Sequence, residues 1–160
     1  MDFTLTPNQR RKLGNKFEED IQYILGKTKC LIMNEIEIRR EFGNNNSAID
    51  HLLFNNDTIY AFQDKWRISK PSISDINHFI QCVSNISEKS GKNCIAIYLS
   101  KMPLTKGGLD AFYEQNNKSN NFFDSISSED QHFLIKDLSH FLYKNGIYYY
   151  DEEDCTEMLT

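Results

Sequence analysis

Proline and glycine are scarce, at 3 and 7 of 160 residues. That excludes collagen-like and Pro/Gly-rich low-complexity chains. Long apolar runs are missing as well. The longest, Cys94–Leu99, is far too short to span a bilayer, and the opening residues MDFTLTPNQRRK hold no apolar signal core. No membrane partner is therefore expected. The four cysteines, Cys30, Cys82, Cys94 and Cys155, make no CxxC pair and no zinc-finger spacing. Reduced, mostly structural thiols in an intracellular protein are the expectation. The four histidines, His51, His78, His132 and His140, form no HExxH and no ligand spacing, so structural or surface roles are expected of them. Neither a glycine-rich phosphate loop nor a GxSxG element occurs.

Excess positive charge is absent too. The net charge is −5, which speaks against a uniformly basic nucleic-acid binder. The distribution changes that reading. Residues 151–160 hold five of the 23 acids and no Lys or Arg, leaving 18 acidic against 18 basic residues in the body. Local basic groups can then dominate a face: Arg10, Arg11, Lys12 and Lys16, then Arg39 and Arg40, then Lys65, Arg67 and Lys70. Arg40, Arg67 and Lys70 are the expected DNA contacts. The acidic segment 151–160 is expected to be a mobile tail, either solvated far from the site or weakening DNA binding by competing with phosphates for the basic groups.

What the chain does contain is aromatic mass, 11 Phe and 8 Tyr, and length enough for one domain over residues 1–150 with a real core. Thr6, Pro7 and Gln9 read as a capped helix start, and Leu13, Phe17, Ile21 and Ile24 as its apolar stripe, with Gly26 as its stop. On a helical wheel Glu18 borders that stripe and Glu19 lies on the far side. Cys30–Met33 and Glu35–Phe42 look extended, the second because Ile36 and Ile38 alternate with charged residues. Ser72 caps a helix with an apolar face from Ile73 to Ile86, and the nearly unbroken apolar run Cys94–Leu99 reads as a strand covered on both faces and parallel to its predecessor. Gly107-Gly108 precedes a short helix, Phe122–Ile126 a strand, Ser128 and Gln131 cap a last helix, and Ile147–Tyr150 adds an edge strand. The expected order is α-β-β-β-α-β-α-β-α.

At the centre stands AIDHLLFNNDTIYAFQDKW, residues 48–66. Two β-rich runs flank Asn55-Asn56-Asp57, a hairpin signal. A two-residue turn at Asn56-Asp57 makes paired residue numbers sum to 113. Asp50 then falls opposite Gln63, and Ala48 opposite Lys65, on one face, with Asp64, Phe62 and Trp66 on the other. A slip of one residue would undo this. Carboxylate, amide and ammonium so placed suit phosphodiester cleavage. Asp50, the Gln63 amide oxygen and Glu18 would hold Mg²⁺, with Mn²⁺ as the other candidate, and Lys65 would position the attacking water.

These stretches resemble the restriction-endonuclease-like, PD-(D/E)xK superfamily, and within it the Mrr-like branch with Gln in the (D/E)xK motif. The matching residues are Gly14–Ile21 (GNKFEEDI, like a G-x-x-F-E-x-x-V helix), Ser47–Leu53 (SAIDHLL, like a G-I-D strand) and Phe62–Trp66 (FQDKW, like a Q-x-K strand). The likeness spans residues 14–126. It implies an α/β fold with an α-β-β-β-α-β core and a mixed central sheet flanked by helices. It further implies Asp50, Gln63, Lys65 and Glu18 as catalytic residues of a metal-dependent DNA endonuclease used in restriction, repair or DNA processing. Ser47-Ala48 stands where that branch usually carries glycines. The rival expectation is a nuclease-like domain that binds DNA or a protein without cutting. Monomer and homodimer stay open.

Overall fold

The computed structural model describes residues 5–150. The acidic segment 151–160, with the expectations attached to it, lies outside them. The chain runs α1 (Pro7–Gly26), β1 (Leu31–Met33), α2 (Glu35–Phe42), β2 (His51–Asn55), β3 (Thr58–Lys65), α3 (Ile73–Ser90), β4 (Asn93–Ser100), α4 (Lys106–Lys118), β5 (Phe122–Ser127) and α5 (Gln131–Lys144). It is an α/β fold whose five strands stand in sequence order across one mixed sheet. β1, β2 and β3 are antiparallel neighbours, whereas β3–β4 and β4–β5 are parallel.

The helix starts follow from side-chain caps that satisfy otherwise unpaired backbone N–H groups. Thr6 accepts from the Gln9 amide while the Gln9 side chain accepts from Thr6, and Pro7 fills the first turn. Ser72 and Asp75 do the same for α3, and Gly91 closes it in the left-handed conformation at φ 71°.

Glu35–Phe42 is where the expected strand gives way to a helix. Asn34 and Glu37 form a reciprocal capping box, and Arg39 bonds Glu35 one turn earlier. Only Ile38 of that segment is buried, and Ile36 stands 67% exposed. Two isoleucines in alternation imitate a strand, but one cap and one buried residue per two turns satisfy a helix. A helix therefore separates β1 from β2 in place of the expected β-β-β run. Three smaller corrections follow the same logic. Thr105, not a Gly pair, starts α4, so Gly107 and Gly108 sit inside its first turn. Asp130 rather than Ser128 caps α5. Ile147–Tyr150 contributes a single bridge, Thr28 to Tyr149, instead of a strand.

Helices cover the sheet on two sides. Phe17, Ile21 and Leu25 of α1 and Leu134, Leu138 and Leu142 of α5 pack on Leu53, Tyr60, Phe62 and Ile97. On the other side Ile76, Phe79 and Val83 of α3, Phe112 of α4 and Ile38 of α2 pack on Leu52, Ala61, Ala96 and Tyr98. Period-two alternation along β3 sorts its residues between these layers. Among the described residues no helix is long and apolar enough to cross a membrane.

Candidate functional site

The hairpin has the expected register. Asn55 pairs with Thr58 and His51 with Phe62, and Asn56 takes φ 56°, the left-handed value this turn needs. The ladder stops at His51. In a continued ladder the Asp64 amide would donate to the Ile49 carbonyl. Here it donates to the Asp50 carboxylate at 2.8 Å, while the Asp50 amide bonds Phe62 O and the Ile49 amide turns back to Asn46 O. β2 thus leaves the sheet at Asp50 and substitutes a carboxylate for a backbone carbonyl. An amide of β3 points along the sheet plane, so the acid sits in that plane, at the open edge of β3, rather than on the Gln63 face. The ladder does not reach the expected Asp50–Gln63 and Ala48–Lys65 pairs, although Ala48 still lines one cavity with Gln63 and Lys65.

Acids collect around that position. One carboxylate oxygen each from Glu18, Glu35 and Asp50 lie within 4.8 Å of one another. Glu18 is delivered by α1, with Phe17 beside it locked in the core and Glu19 facing solvent. Glu35 is delivered by the first turn of α2. Reading that segment as a strand concealed Glu35. The signal that could have found it was Asn34 three residues before Glu37, a capping box that fixes the helix start. Burial and the charges of Asp64 and Glu18 push the Asp50 carboxyl up to about 8, although the Asp64 amide pulls it down. Glu18 is raised as well, by burial and by the charges of Asp64 and Glu35. These three residues line a cavity of about 330 Å³ with Asn15, Gln22 and Asn34, and the exposed Glu19 borders it too, so the cavity alone does not set Glu18 apart from Glu19 as expected.

Behind the cluster lies an ion pair. His51 Nε2 bonds the Asp64 carboxylate in a short contact, and His51 Nδ1 bonds Gln22 Oε1 at 2.6 Å. Both side chains are buried, 1% and 3% exposed. Burial lowers the imidazole's pKa, but the Asp64, Asp50 and Glu18 carboxylates outweigh it and raise it overall. The Asp64 carboxyl is in turn pushed up by burial and pulled back by His51, with a net rise. Sequence reasoning placed Asp64 and His51 on the face away from Gln63, which holds, but gave them no joint role.

Gln63 and Lys65 open elsewhere. With Ser47, Asp75, His78 and Tyr98 they line a cavity of about 190 Å³ toward α3. The Gln63 Oε1 and Tyr98 hydroxyl are buried there without hydrogen-bond partners, neighbours because Gln63 pairs with Tyr98 in register. Burial and Arg67 lower the Lys65 pKa, opposed by Asp75 and Asp50. Lys65 also borders a larger cavity, about 730 Å³, whose walls include Arg10, Arg11, Gly14, Glu18, Trp66 and Arg67. Glu18 and Asn15 are common to that cavity and the acid-lined one. Lys65 and Glu18 thus join three cavities around the end of β3. Of the expected DNA contacts, Arg67 borders the large cavity. Arg40 and Lys70 are exposed and border none of the three.

The arrangement suits a hard divalent cation. Three carboxylates converge with oxygen donors only, and burial leaves Asp50 and Glu18 short of positive charge. The expected set of Asp50, Gln63 and Glu18 changes accordingly: the structure brings Glu18 and Asp50 together with Glu35, and places Gln63 on another cavity.

Comparison of the chain with family models, with curated proteins and with solved structures gave no match in any of the three.

Proposed function

We propose that this protein is a metal-dependent deoxyribonuclease of the restriction-endonuclease-like, PD-(D/E)xK type. The observation that carries the reading is the Glu18–Glu35–Asp50 convergence at the edge of β3, where Asp50 accepts from the amide of Asp64, the residue before Lys65, beside an arginine-walled cavity. Glu18, Glu35 and Asp50 would hold Mg²⁺ or Mn²⁺, which supplies an activated water and offsets charge on a phosphate. The chain's own contribution is positional. The Asp64 amide holds one Asp50 oxygen and so fixes the carboxylate where it lines the cavity with Glu18 and Glu35. His51 bonds Asp64 and so offsets the charge that its carboxylate brings to the cluster. Lys65, with its ammonium half-buried between two cavities, is available to a phosphate oxygen or to the water that attacks it. Arg67, and Arg10 and Arg11 across from it, supply the positive walls that draw a polyanion.

The test is cleavage of supercoiled plasmid and of branched DNA with Mg²⁺ or Mn²⁺, wild type against Asp50→Ala. Metal-dependent cutting that disappears in the variant supports the reading; no cutting of either substrate with either metal overturns it. A DNA-binding domain that does not cut is the second reading. It is favoured by one observation, the opening of Gln63 and Lys65 on a different cavity from Glu35 and Asp50.

A further inference from the structure

Helix α1 carries a glycine in its interior, at position 14 of a helix running from Pro7 to Gly26. Glycine is among the poorest helix formers, because it surrenders the most backbone freedom and packs no side chain. Such a residue is usually explained by crowding or by a left-handed backbone. Neither applies. A Cβ added at Gly14 would meet nothing within 4 Å, and its φ is not positive. Nothing among the described residues demands the glycine.

Its surroundings point to something outside the protein. Gly14 borders the cavity of about 730 Å³. Arg11, Gly14, Asn15 and Glu18 recur at helical spacing along that wall of α1. Arg10 joins them, and Lys65, Trp66 and Arg67 form the opposing wall. The ring of Trp66 is itself packed on Phe17, centroids 4.9 Å apart, so this wall is firm. Two pairs of cations, Arg10 and Arg11 from α1 and Lys65 and Arg67 from the end of β3 and just past it, thus line one trough whose α1 wall lacks a side chain at Gly14. The acids Glu18 and Asp64 line it as well, and Asp64 is already paired with His51.

We infer that the trough seats the sugar–phosphate backbone of a nucleic-acid strand, which passes in van der Waals contact with α1 at Gly14. Arg10 and Arg11 hold it from one side and Arg67 from the other. Guanidinium groups present paired donors that match phosphate oxygens, and opposing cations favour a repeating anion over a single charge. A strand so placed runs toward Glu18, the residue the trough shares with the acid-lined cavity. The inference rests on the nuclease reading and gives it a track for the strand.

The experiment measures binding and folding together on the full chain. Fluorescent 20-nucleotide oligonucleotides, one single-stranded and one duplex, are titrated with Ca²⁺ in place of Mg²⁺ over a range of salt. Gly14→Leu is expected to melt no lower than wild type, since leucine is a good helix former with open space before it, yet to bind at least tenfold more weakly. Gly14→Ala is the milder companion, with an unchanged or higher melting temperature and a smaller loss. Arg10→Ala/Arg11→Ala is expected to flatten the slope of log K against log salt by about 0.9 per lost contact on duplex, or about 0.7 on a single strand. A loss confined to the single-stranded probe supports an unpaired strand in the trough, and a loss on both supports one strand of a duplex. Wild-type affinity in Gly14→Leu overturns the close approach, and an unchanged salt slope in the arginine variant overturns the clamp. A protein that cuts DNA while Gly14→Leu binds normally refutes this inference alone. One that binds through Gly14 and the arginines but never cuts refutes the nuclease reading alone.

Discussion

The two sides of β3 near its end are stressed in different ways. On the α1 side Glu18, Glu35 and Asp50 converge, Asp64 pairs with His51 while its Oδ1 lacks a partner among the described residues, and the stress is chiefly charge. On the α3 side Gln63 and Tyr98 bury polar atoms with no partners beside Lys65, and the stress is unmade hydrogen bonds. One strand produces both, because successive side chains point to opposite layers. Charge stress is relieved by protons or a cation; hydrogen-bond stress is relieved by water or a ligand's polar atoms. The first side therefore reads as a place for metal and the second as a place for a small polar group.

Breaking the charge side has the largest expected effect. Asp50→Ala should reduce metal-dependent DNA cleavage by about 10³-fold or more, with the far-ultraviolet circular dichroism spectrum unchanged. His51→Leu should come next. It leaves the Asp64 carboxylate buried without its partner, a loss of about 3–5 kcal/mol in urea unfolding, whereas removing both charges in His51→Leu/Asp64→Leu should recover most of it.

The pH dependence of stability sharpens the same contrast. In the metal-free protein Asp50 keeps its proton up to about pH 8, while in the unfolded chain it loses it near the ordinary carboxylate value of about 4. The folded state then binds more protons across that window, so stability falls as pH rises through it. His51, raised in the folded state, acts in the same direction. Melting temperature without metal should be higher at pH 5 than at pH 8. Mg²⁺ should close part of the gap at pH 8, and Asp50→Asn should flatten the profile. A metal-free melting temperature that climbs between pH 5 and 8 would contradict this account.

Metal titration distinguishes the acids. Glu35→Gln and Glu18→Gln should each weaken Mn²⁺ binding about 10-fold, the lower end for altering a ligand or its immediate support, and Glu19→Gln, at the rim of the same cavity but outside the converging trio, should weaken it less. The smallest effect belongs to the α3 side. Gln63→Leu removes an amide oxygen that already lacks a partner, so unfolding free energy should change by less than about 1 kcal/mol. A loss of several kcal/mol would show that Gln63 is well satisfied in the folded protein.

Much of this was legible in the residues. Asn56-Asp57 between two β-rich runs set the hairpin register, Ser72 with Asp75 set the start of α3, and the wheel position of Glu18 put it further inward than Glu19, although both border the acid-lined cavity. Each rests on local rules of spacing and capping. The α2 segment misled because Glu35–Phe42 is short enough for a helical and a strand pattern to coincide, and only the Asn34–Glu37 cap separates them.

By itself the sequence determined which residues alternate, which cap, and that Asp64 would leave Gln63 and Lys65 for the opposite layer, since these follow from periods of two and 3.6 in the chain itself. Only the tertiary structure decided that β2 departs the sheet at Asp50, that its carboxylate takes the Asp64 amide, and that Glu35 and Glu18 arrive from separate helices to meet it. The end of a ladder and the meeting of helix termini depend on how β2, β3, α1 and α2 pack against one another. No period within any one of them encodes that distance.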